Sequence, residues 1–269
     1  MKRLSTKIQK KAVYIGIDLM YPALETLLGA GMDILKVYTC PRDNVTEFNV
    51  KIIGLAEKNH IPYTMEKITG QDLEQLKAAG CEILICAGCP YRLPLTDAFP
   101  MVNIHPAPLP SCRGEWPMPL ILLGAYPVGG LAIHKMTEAY DAGDIILQKI
   151  FPIEKRETLT GYMEKVHTRI PGMLEYFLKH MEKCLEEAVP QTKGRYLVHP
   201  GKSVRTVAFY MEAEEADRIL RAFYGYECIY LAAEERYALI GARVSYGCGI
   251  LTEFPVRGGY ITAKRIRKL

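Results

Sequence analysis

Residues Glu82–Ala87 read EILICA, a short continuous apolar run that is typical of a strand buried on both faces of a sheet. Similar runs lie at Ala12–Ile17, Ile34–Tyr38 and Val102–His105, and segments with helical spacing separate them. Strands that alternate with helices form parallel sheets, because each crossover helix packs against a face of the sheet. The sequence therefore predicts an α/β fold with a mostly parallel sheet and helices on both faces.

The pattern changes after the last of these strands. Two longer strands, at Val128–Met136 and Asp144–Ile153, are joined by an acidic turn and are expected at the edge of a mixed sheet. A long amphipathic helix follows at Leu159–Leu185, and Pro171 is expected to kink or split it. The other predicted elements of this region are a strand at Ile61–Met65 and helices at Pro22–Leu28, Val45–Lys58, Gln71–Ala79 and Met118–Leu123.

Residues 187–194, EAVPQTKG, interrupt the periodic pattern, and their Pro and Gly are typical of a linker. We therefore expect one large domain over residues 1–187 and a small β-rich C-terminal domain over residues 195–269. The elements predicted for the small domain are a helix at Glu212–Phe223 and strands at Glu227–Leu231, Tyr237–Val244 and Gly259–Ala263.

The formal net charge is +4, with basic runs at both ends that are compatible either with phosphate contact or with solvated charge. No run approaches the roughly 18 apolar residues that span a bilayer, and the basic start lacks the apolar core of a signal peptide. We therefore expect a cytoplasmic protein without membrane contact. The eight cysteines are irregularly spaced, which favours reduced thiols, and the CxxC at Cys86 and Cys89 lacks the partners of a zinc site. No metal is predicted.

Chemistry is indicated by residues 102–117, VNIHPAPLPSCRGEWP, where a strand runs into a proline-rich exit. Asn103 and His105 are two residues apart, so their side chains point to one side of the strand, and ligands usually bind at the carboxyl ends of such strands. An amide can donate to a developing oxyanion, and an imidazole can transfer a proton near neutral pH. Oxyanion stabilisation and proton transfer are both needed when an amine attacks a formyl carbonyl. The simpler alternative is a strand-end histidine hydrogen-bonded to backbone.

A carboxylate beside the imidazole would raise its pKa and fix its orientation. The turn between the two later strands offers Glu138, Asp141 and Asp144, and position alone does not choose among them.

The segment NIHPAPLPSCRG resembles the hallmark of the folate-dependent formyltransferases, Asn-x-His-x-x-x-Leu-Pro followed by x-x-Arg-Gly. Asp141-Ala142-Gly143 is similar to the second motif of this family, Asp-x-Gly, and selects Asp141 among the three acids. The resemblance covers about residues 12–185 and implies the Rossmann-like formyltransferase fold, with residues 1–187 as the catalytic domain. It implies that Asn103 stabilises the tetrahedral oxyanion, His105 transfers the proton, and Asp141 orients His105 and raises its pKa.

The resemblance also implies the co-substrate 10-formyltetrahydrofolate and no metal. In this family the folate lies along the loop after the preceding strand and along the segment that leads to the catalytic aspartate. The corresponding residues here are Arg92, Leu93, Pro94, Thr137, Glu138, Ala139 and Tyr140.

We expect the formyl acceptor to contact Arg113, Glu115 and Trp116. An acid at this place would pair with an ammonium and repel phosphate, and the tryptophan ring would either stack on the acceptor or pack in the protein. One member of the family, methionyl-tRNA formyltransferase, carries a basic insertion after its second strand. This chain lacks that insertion. A small amine is therefore the expected acceptor, such as a nucleotide-linked amino sugar or an amino acid derivative.

Three alternatives remain. Methionyl-tRNA is the first, because residues 214–231 are similar to the start of the OB-like C-terminal domain of methionyl-tRNA formyltransferase. The second is hydrolysis of 10-formyltetrahydrofolate by water. The third, a catalytically silent folate-binding or RNA-binding module, is disfavoured because Asn103, His105 and Asp141 are all present.

Overall fold

The computed structural model describes residues 8–43, 48–247 and 254–269. Its largest sheet has seven strands: β1 (Lys11–Gly16), β2 (Asp33–Tyr38), β3 (Tyr63–Thr64), β4 (Ile83–Ala87), β5 (Met101–His105), β6 (Val128–Lys135) and β7 (Ile145–Pro152). The strand order is β3-β2-β1-β4-β5-β6-β7. Neighbouring strands run parallel from β3 through β2, β1 and β4 to β5, whereas β5 and β6 are antiparallel. The predicted mixed edge is therefore confirmed.

Eight α-helices are found among the described residues: α1 (Tyr21–Gly29), α2 (Val50–Lys58), α3 (Gly70–Ala78), α4 (Pro117–Leu123), α5 (Leu159–His167), α6 (Ile170–Lys179), α7 (Met181–Glu186) and α8 (Ala213–Ala222). The start of α3 has a capping box, in which Thr69 and Asp72 each accept a hydrogen bond from the backbone N–H of the other. Residues 45–47, which were predicted as the first turn of a helix, lie outside the described residues.

The centre of the large sheet is apolar throughout. All five residues of β4 are buried, as the run EILICA predicts for a strand covered on both faces, and five of the six residues of β1 are buried as well. The predicted Rossmann-like, mostly parallel sheet is confirmed, and its central strands support the strand ends that carry the polar side chains.

The chain divides into two compact units. The first consists of Met1–Arg113, Gly130–Ile150 and Lys165–Tyr196, and the second of Gly114–Gly129, Phe151–Glu164 and Leu197–Leu269. The boundary between domains that was predicted at residues 187–194 stays a prediction.

The C-terminal part of the second unit has seven short strands: β8 (Thr206–Ala208), β9 (Glu227–Leu231), β10 (Arg236–Ile240), β11 (Arg243–Tyr246), β12 (Pro255–Val256), β13 (Gly259–Thr262) and β14 (Arg265–Lys268). They form a four-stranded sheet of order β14-β10-β9-β8 and a three-stranded sheet of order β11-β13-β12. The predicted β-rich C-terminal region is confirmed, and its OB-like character stays a prediction.

Two predicted elements are divided more finely than expected. The helix predicted over Leu159–Leu185 consists of α5, α6 and α7. Pro171 lies in the first turn of α6, where its missing N–H costs nothing, and His180, with φ −124° and ψ 31°, separates α6 from α7. The strand predicted over Tyr237–Val244 is broken into β10 and β11 by Gly241, whose φ of 66° no extended strand residue adopts.

Within the described residues, no helix is both long enough and apolar enough to cross a membrane. The seven cysteines in this part of the chain are free thiols.

Candidate active site

The three residues predicted as catalytic meet at the carboxyl end of β5. The Nδ2 atom of Asn103 lies 3.1 Å from Oδ1 of Asp141, and Nδ1 of His105 lies 3.5 Å from the same oxygen. Asn103 and His105 reach one carboxylate because alternate side chains of a strand share a face. The side chains of His105 and Asp141 are only 4% and 9% exposed, so little water screens their interaction.

Asp141 enters this cluster from a tight turn. Its φ is 51°, in the left-handed region, which costs a residue with a side chain roughly 1 kcal/mol. Two residues later, a Cβ atom at Gly143 would lie 2.0 Å from the carbonyl oxygen of Lys135. Only glycine lets the turn approach β6 this closely, which gives the Asp-x-Gly spacing a physical reason.

The protonation of His105 follows from its partners. Its Nε2 atom lies 2.8 Å from the carbonyl oxygen of Cys112, and because a carbonyl only accepts, Nε2 carries a hydrogen. In the neutral ring the unprotonated atom is then Nδ1, which faces Asp141. This places the nitrogen that can take up a proton beside the carboxylate.

Burial lowers the pKa of His105 below its ordinary value, because the charged ring loses its hydration. The carboxylate of Asp141 and the hydrogen bond to Cys112 act in the opposite direction and raise the pKa, while His134 lowers it further. The contribution of Asp141 has the sign expected from the sequence, but burial outweighs it. The imidazole is therefore neutral at pH 7.

A second imidazole, that of His134, belongs to the cluster and was not predicted from the sequence. Asn103 and His134 lie opposite each other in the antiparallel pairing of β5 and β6. The Nε2 atom of His134 lies 3.1 Å from Nδ2 of Asn103 and 3.3 Å from Oδ1 of Asp141, while its Nδ1 lies 2.8 Å from the carbonyl oxygen of Lys135. A histidine inside the apolar strand VGGLAIHK was the available signal, since a buried polar group needs partners.

The side-chain nitrogen of Asn103 lies within hydrogen-bond distance of two groups, the carboxylate of Asp141 and the imidazole of His134. The distances among the Asn103 Nδ2, the Asp141 oxygen and the His134 nitrogen are 3.1, 3.1 and 3.3 Å, a nearly equilateral triangle.

The proline-rich loop after β5 is held by a side chain from β7. Gln148 accepts from the backbone N–H of Leu109 over 2.7 Å and donates to the carbonyl of Leu109 over 3.1 Å. The peptide bond between Leu109 and Pro110 is cis. A glutamine thus pairs with the loop as a neighbouring strand would.

The two segments predicted to bind the folate contact each other. The guanidinium of Arg92 lies 5.0 Å from the ring centroid of Tyr140, within the range of a cation–π interaction. Leu93 packs against the core of the sheet, and Pro94 is half-buried. Thr137, Glu138 and Ala139 are exposed, and the Thr137 hydroxyl donates to the carbonyl of Ala139 over 3.0 Å.

The three residues predicted at the acceptor have different surroundings. Arg113, in the first unit, donates to the side chain of Gln191 and to the carbonyl of Thr192. Glu115, in the second unit, is exposed. Trp116 is 8% exposed and packs in the second unit against the rings of His199, Phe223 and Tyr226, with centroids 4.9–5.6 Å apart. Of the two possibilities for this tryptophan, packing is the one observed.

Comparison with known proteins agrees with this chemistry. The family model for formyl transferase matches residues 46–175, which include Asn103, His105, His134 and Asp141. Methionyl-tRNA formyltransferase of Anaplasma marginale is 26% identical over 253 residues, which are 87% of this chain and 83% of that protein. These matches support the assignment of this chain to the formyltransferases. They indicate an enzyme of formyl transfer.

Solved structures share the formyltransferase fold at low sequence identity. HypX from Aquifex aeolicus in complex with tetrahydrofolic acid has a TM-score of 0.73 and 14% identity, and the match covers 96% of this chain but 44% of HypX. An N-formyltransferase from Helicobacter canadensis, in complex with folinic acid and dTDP-3-aminofucose, has a TM-score of 0.63 and 18% identity over 97% of this chain and all of that chain.

The CxxC lies beside β5, since Cys86 pairs with Asn103 across β4 and β5. The contact with Cys89, followed by burial, raises the pKa of the Cys86 thiol well above its ordinary value. Among residues 8–43, 48–247 and 254–269, no three or more His, Cys, Asp or Glu side chains are arranged to hold a metal ion.

Proposed function

We propose that this formyltransferase moves the formyl group of 10-formyltetrahydrofolate to the primary amine of a small acceptor, with Asn103, His105 and Asp141 as catalytic residues. The observation that carries the proposal is the convergence of an amide, a neutral imidazole and a carboxylate within 3.5 Å at the end of β5. Acyl transfer to an amine requires a donor for the oxyanion and an acceptor for the proton, and these side chains supply both.

Asn103 stabilises the negative charge. When the amine nitrogen bonds to the formyl carbon, the electron pair of the carbonyl bond moves to the oxygen. In this proposal the side-chain amide of Asn103, held beside Asp141 and His134, donates a hydrogen bond to that oxygen. A single donor of this kind is worth roughly 3–4 kcal/mol of transition-state stabilisation.

His105 carries the proton. Its Nδ1 atom takes the proton that the attacking amine loses, and the resulting imidazolium faces Asp141 at 3.5 Å. The same proton then goes to the folate nitrogen as its bond to the formyl carbon breaks, which releases the formamide and tetrahydrofolate. Asp141 stabilises the imidazolium and fixes the ring, together with the carbonyl of Cys112.

The folate segments and the acceptor residues complete the proposal. Arg92, Leu93, Pro94 and the segment Thr137–Tyr140 line the pterin, and their mutual contact through Arg92 and Tyr140 supports a common surface. A small acceptor is supported by the Helicobacter canadensis neighbour, whose structure contains an amino sugar nucleotide, and by the exposed carboxylate of Glu115, which suits an ammonium.

Methionyl-tRNA is the second candidate acceptor. It is favoured by the named relatives, since the match to the Anaplasma marginale enzyme extends over 83% of that protein. The cytoplasmic location expected from the sequence stays a prediction.

The proposal is tested by mixing the enzyme with 10-formyltetrahydrofolate and a panel of amines and following tetrahydrofolate release. The panel contains amino sugar nucleotides, amino acid derivatives and charged initiator methionyl-tRNA. Amine-dependent release with a small acceptor is the expected result. Release without any amine would favour the hydrolase, and the absence of release with every acceptor would overturn the transferase proposal.

Competition decides between the two acceptors. Both are supplied together at equal concentration, and the formylated products are separated and quantified. Faster formylation of the charged tRNA than of every small amine would replace the small acceptor with methionyl-tRNA.

A further inference from the structure

We propose that Gln191 is a positioning residue of the active site, which holds the turn of Asp141 and connects it, through Arg113, to the backbone that orients His105. The proposal rests on the catalytic roles given above for Asp141 and His105. It also changes the expectation for Arg113, which was predicted at the acceptor and is placed here in the support of the catalytic residues.

The side-chain amide of Gln191 bridges two parts of the chain. Its Nε2 atom donates to the carbonyl oxygens of Asp141 and Gly143, over 2.8 and 2.6 Å. Its Oε1 atom accepts from Nε and from the second terminal nitrogen of Arg113, over 3.0 and 2.9 Å. Both amide hydrogens and the amide oxygen are therefore used.

Chemistry permits only one orientation of this amide. A guanidinium only donates and backbone carbonyls only accept, so the oxygen of Gln191 must face Arg113 and its nitrogen must face the turn. No isosteric side chain keeps both sets of bonds. Glutamate would retain the contact with Arg113 but would oppose the two carbonyls, and leucine would lose every bond.

The hydrogen bonds of Gln191 extend toward both Asp141 and His105. On one side it holds the carbonyls before and after Ala142, in the turn where Asp141 has its left-handed φ. On the other side it holds Arg113, the neighbour of Cys112, whose carbonyl accepts from His105. The side chain of Gln191 therefore contributes to setting the separation between Asp141 and His105.

The backbone around Gln191 is itself fixed at both ends. Val189 exchanges two hydrogen bonds with Ile145 at the start of β7, and the carbonyl of Arg195 accepts from the N–H of Arg113. Gly194 lies so close to the catalytic loop that a Cβ atom there would be 2.0 Å from the carbonyl oxygen of Pro110. The glutamine thus projects from a segment whose position relative to the loop is set by backbone contacts.

The first test uses Gln191→Leu, which adds no charge, and reads the titration of the His105 ring by NMR. The titratable groups that act on this ring are Asp141, which raises the pKa of His105, and His134, which lowers it. If the turn moves when Gln191 is lost, Asp141 moves away and the pKa of His105 falls below that of the parent enzyme. Gln75→Leu, at an exposed position of α3, is the matched control and should leave the titration unchanged.

Turnover is the second readout. We expect kcat of the leucine variant to fall about tenfold or more while KM for both substrates stays within about twofold, because misplacing a catalytic group costs rate more than binding. Gln191→Glu, which keeps the contact with Arg113, should show the same loss of kcat and serves if the leucine variant does not fold.

The outcomes separate the two proposals. An unchanged titration of His105 in folded Gln191→Leu, or a kcat of folded Gln191→Glu equal to that of the parent, overturns the positioning role. If the parent enzyme itself shows no amine-dependent turnover, the proposed function fails, and the NMR titration still decides the role of Gln191 because it needs no substrate.

Discussion

Asn103 and His134 face each other across the pairing of β5 and β6, with their side-chain nitrogens 3.1 Å apart. The Nδ1 atom of His134 contacts the carbonyl of Lys135, so in the neutral ring Nε2 is the atom that accepts from the amide. The amide that we propose as the oxyanion donor is thus oriented by β6, a connection that was not predicted from the sequence. A donor for an oxyanion is effective only when it is held in place before the reaction.

We predict that His134→Phe lowers kcat about tenfold, because the phenyl ring fills the space of the imidazole but cannot accept from Asn103. Steady-state kinetics at saturating donor measure this change, and KM should move little. His180→Phe, at an exposed position between α6 and α7, is the control and should leave kcat as it is. A full kcat in folded His134→Phe would remove His134 from the active site.

The pH dependence of kcat follows from the neutral state of His105. Because burial lowers its pKa, we predict that the acidic limb of the kcat profile lies below pH 6.5, the ordinary value for histidine. The carboxylate of Asp141 raises this pKa, so Asp141→Asn should move the limb to still lower pH and reduce the plateau. A limb above pH 6.5, or one that rises in the variant, would contradict the assignment of the proton acceptor.

A methyl group at Gly143 should displace the catalytic turn. In Gly143→Ala the new Cβ would lie 2.0 Å from the Lys135 carbonyl, so the turn must move, and we predict a fall in kcat of about tenfold or more. Gly172→Ala is the matched control, because nothing lies within 4 Å of a Cβ there and alanine favours a helix by about 1 kcal/mol. Kinetics and thermal unfolding of both variants give the comparison, and equal activities would count against the close approach.

Loss of the ring at Tyr140 should weaken donor binding. In Tyr140→Ala the guanidinium of Arg92 loses its aromatic partner, and we predict a rise of about fivefold in KM for the folate with kcat at saturating donor preserved. Tyr140→Phe keeps the ring and should behave as the parent enzyme does. An unchanged KM for the folate in Tyr140→Ala would mean that the pterin binds elsewhere.

The parts that the sequence predicted well are local. EILICA needs only its own apolar run to indicate a buried strand, and Asn103 and His105 need only the alternation of side chains along a strand to point to one site. Asp141 was selected by resemblance, and the glycine contact with Lys135 now gives the spacing a steric reason.

The parts that were missed depend on contacts between distant segments. His134 joins the site through the register of β5 and β6. Packing, one of the two possibilities that the sequence leaves open for Trp116, depends on rings that lie more than 80 residues later in the chain. Gln191 lies in residues 187–194, whose Pro and Gly indicate a linker. Its side-chain contacts with Arg113 and Asp141 join residues 78 and 50 positions apart. No periodicity in the sequence reports such pairings.

The central claim is transfer of the formyl group through His105, and isotopic labelling tests it most directly. The enzyme and its His105→Ala variant are supplied with 10-formyltetrahydrofolate labelled in the formyl carbon and with the small amine acceptor, and the label in acceptor and in formate is counted. With the parent enzyme we predict label in the acceptor. With the variant we predict a rate of label transfer at most about one hundredth of the parent's, although the variant still binds the folate. Label that appears only in formate, or an undiminished rate in the variant, would contradict the account.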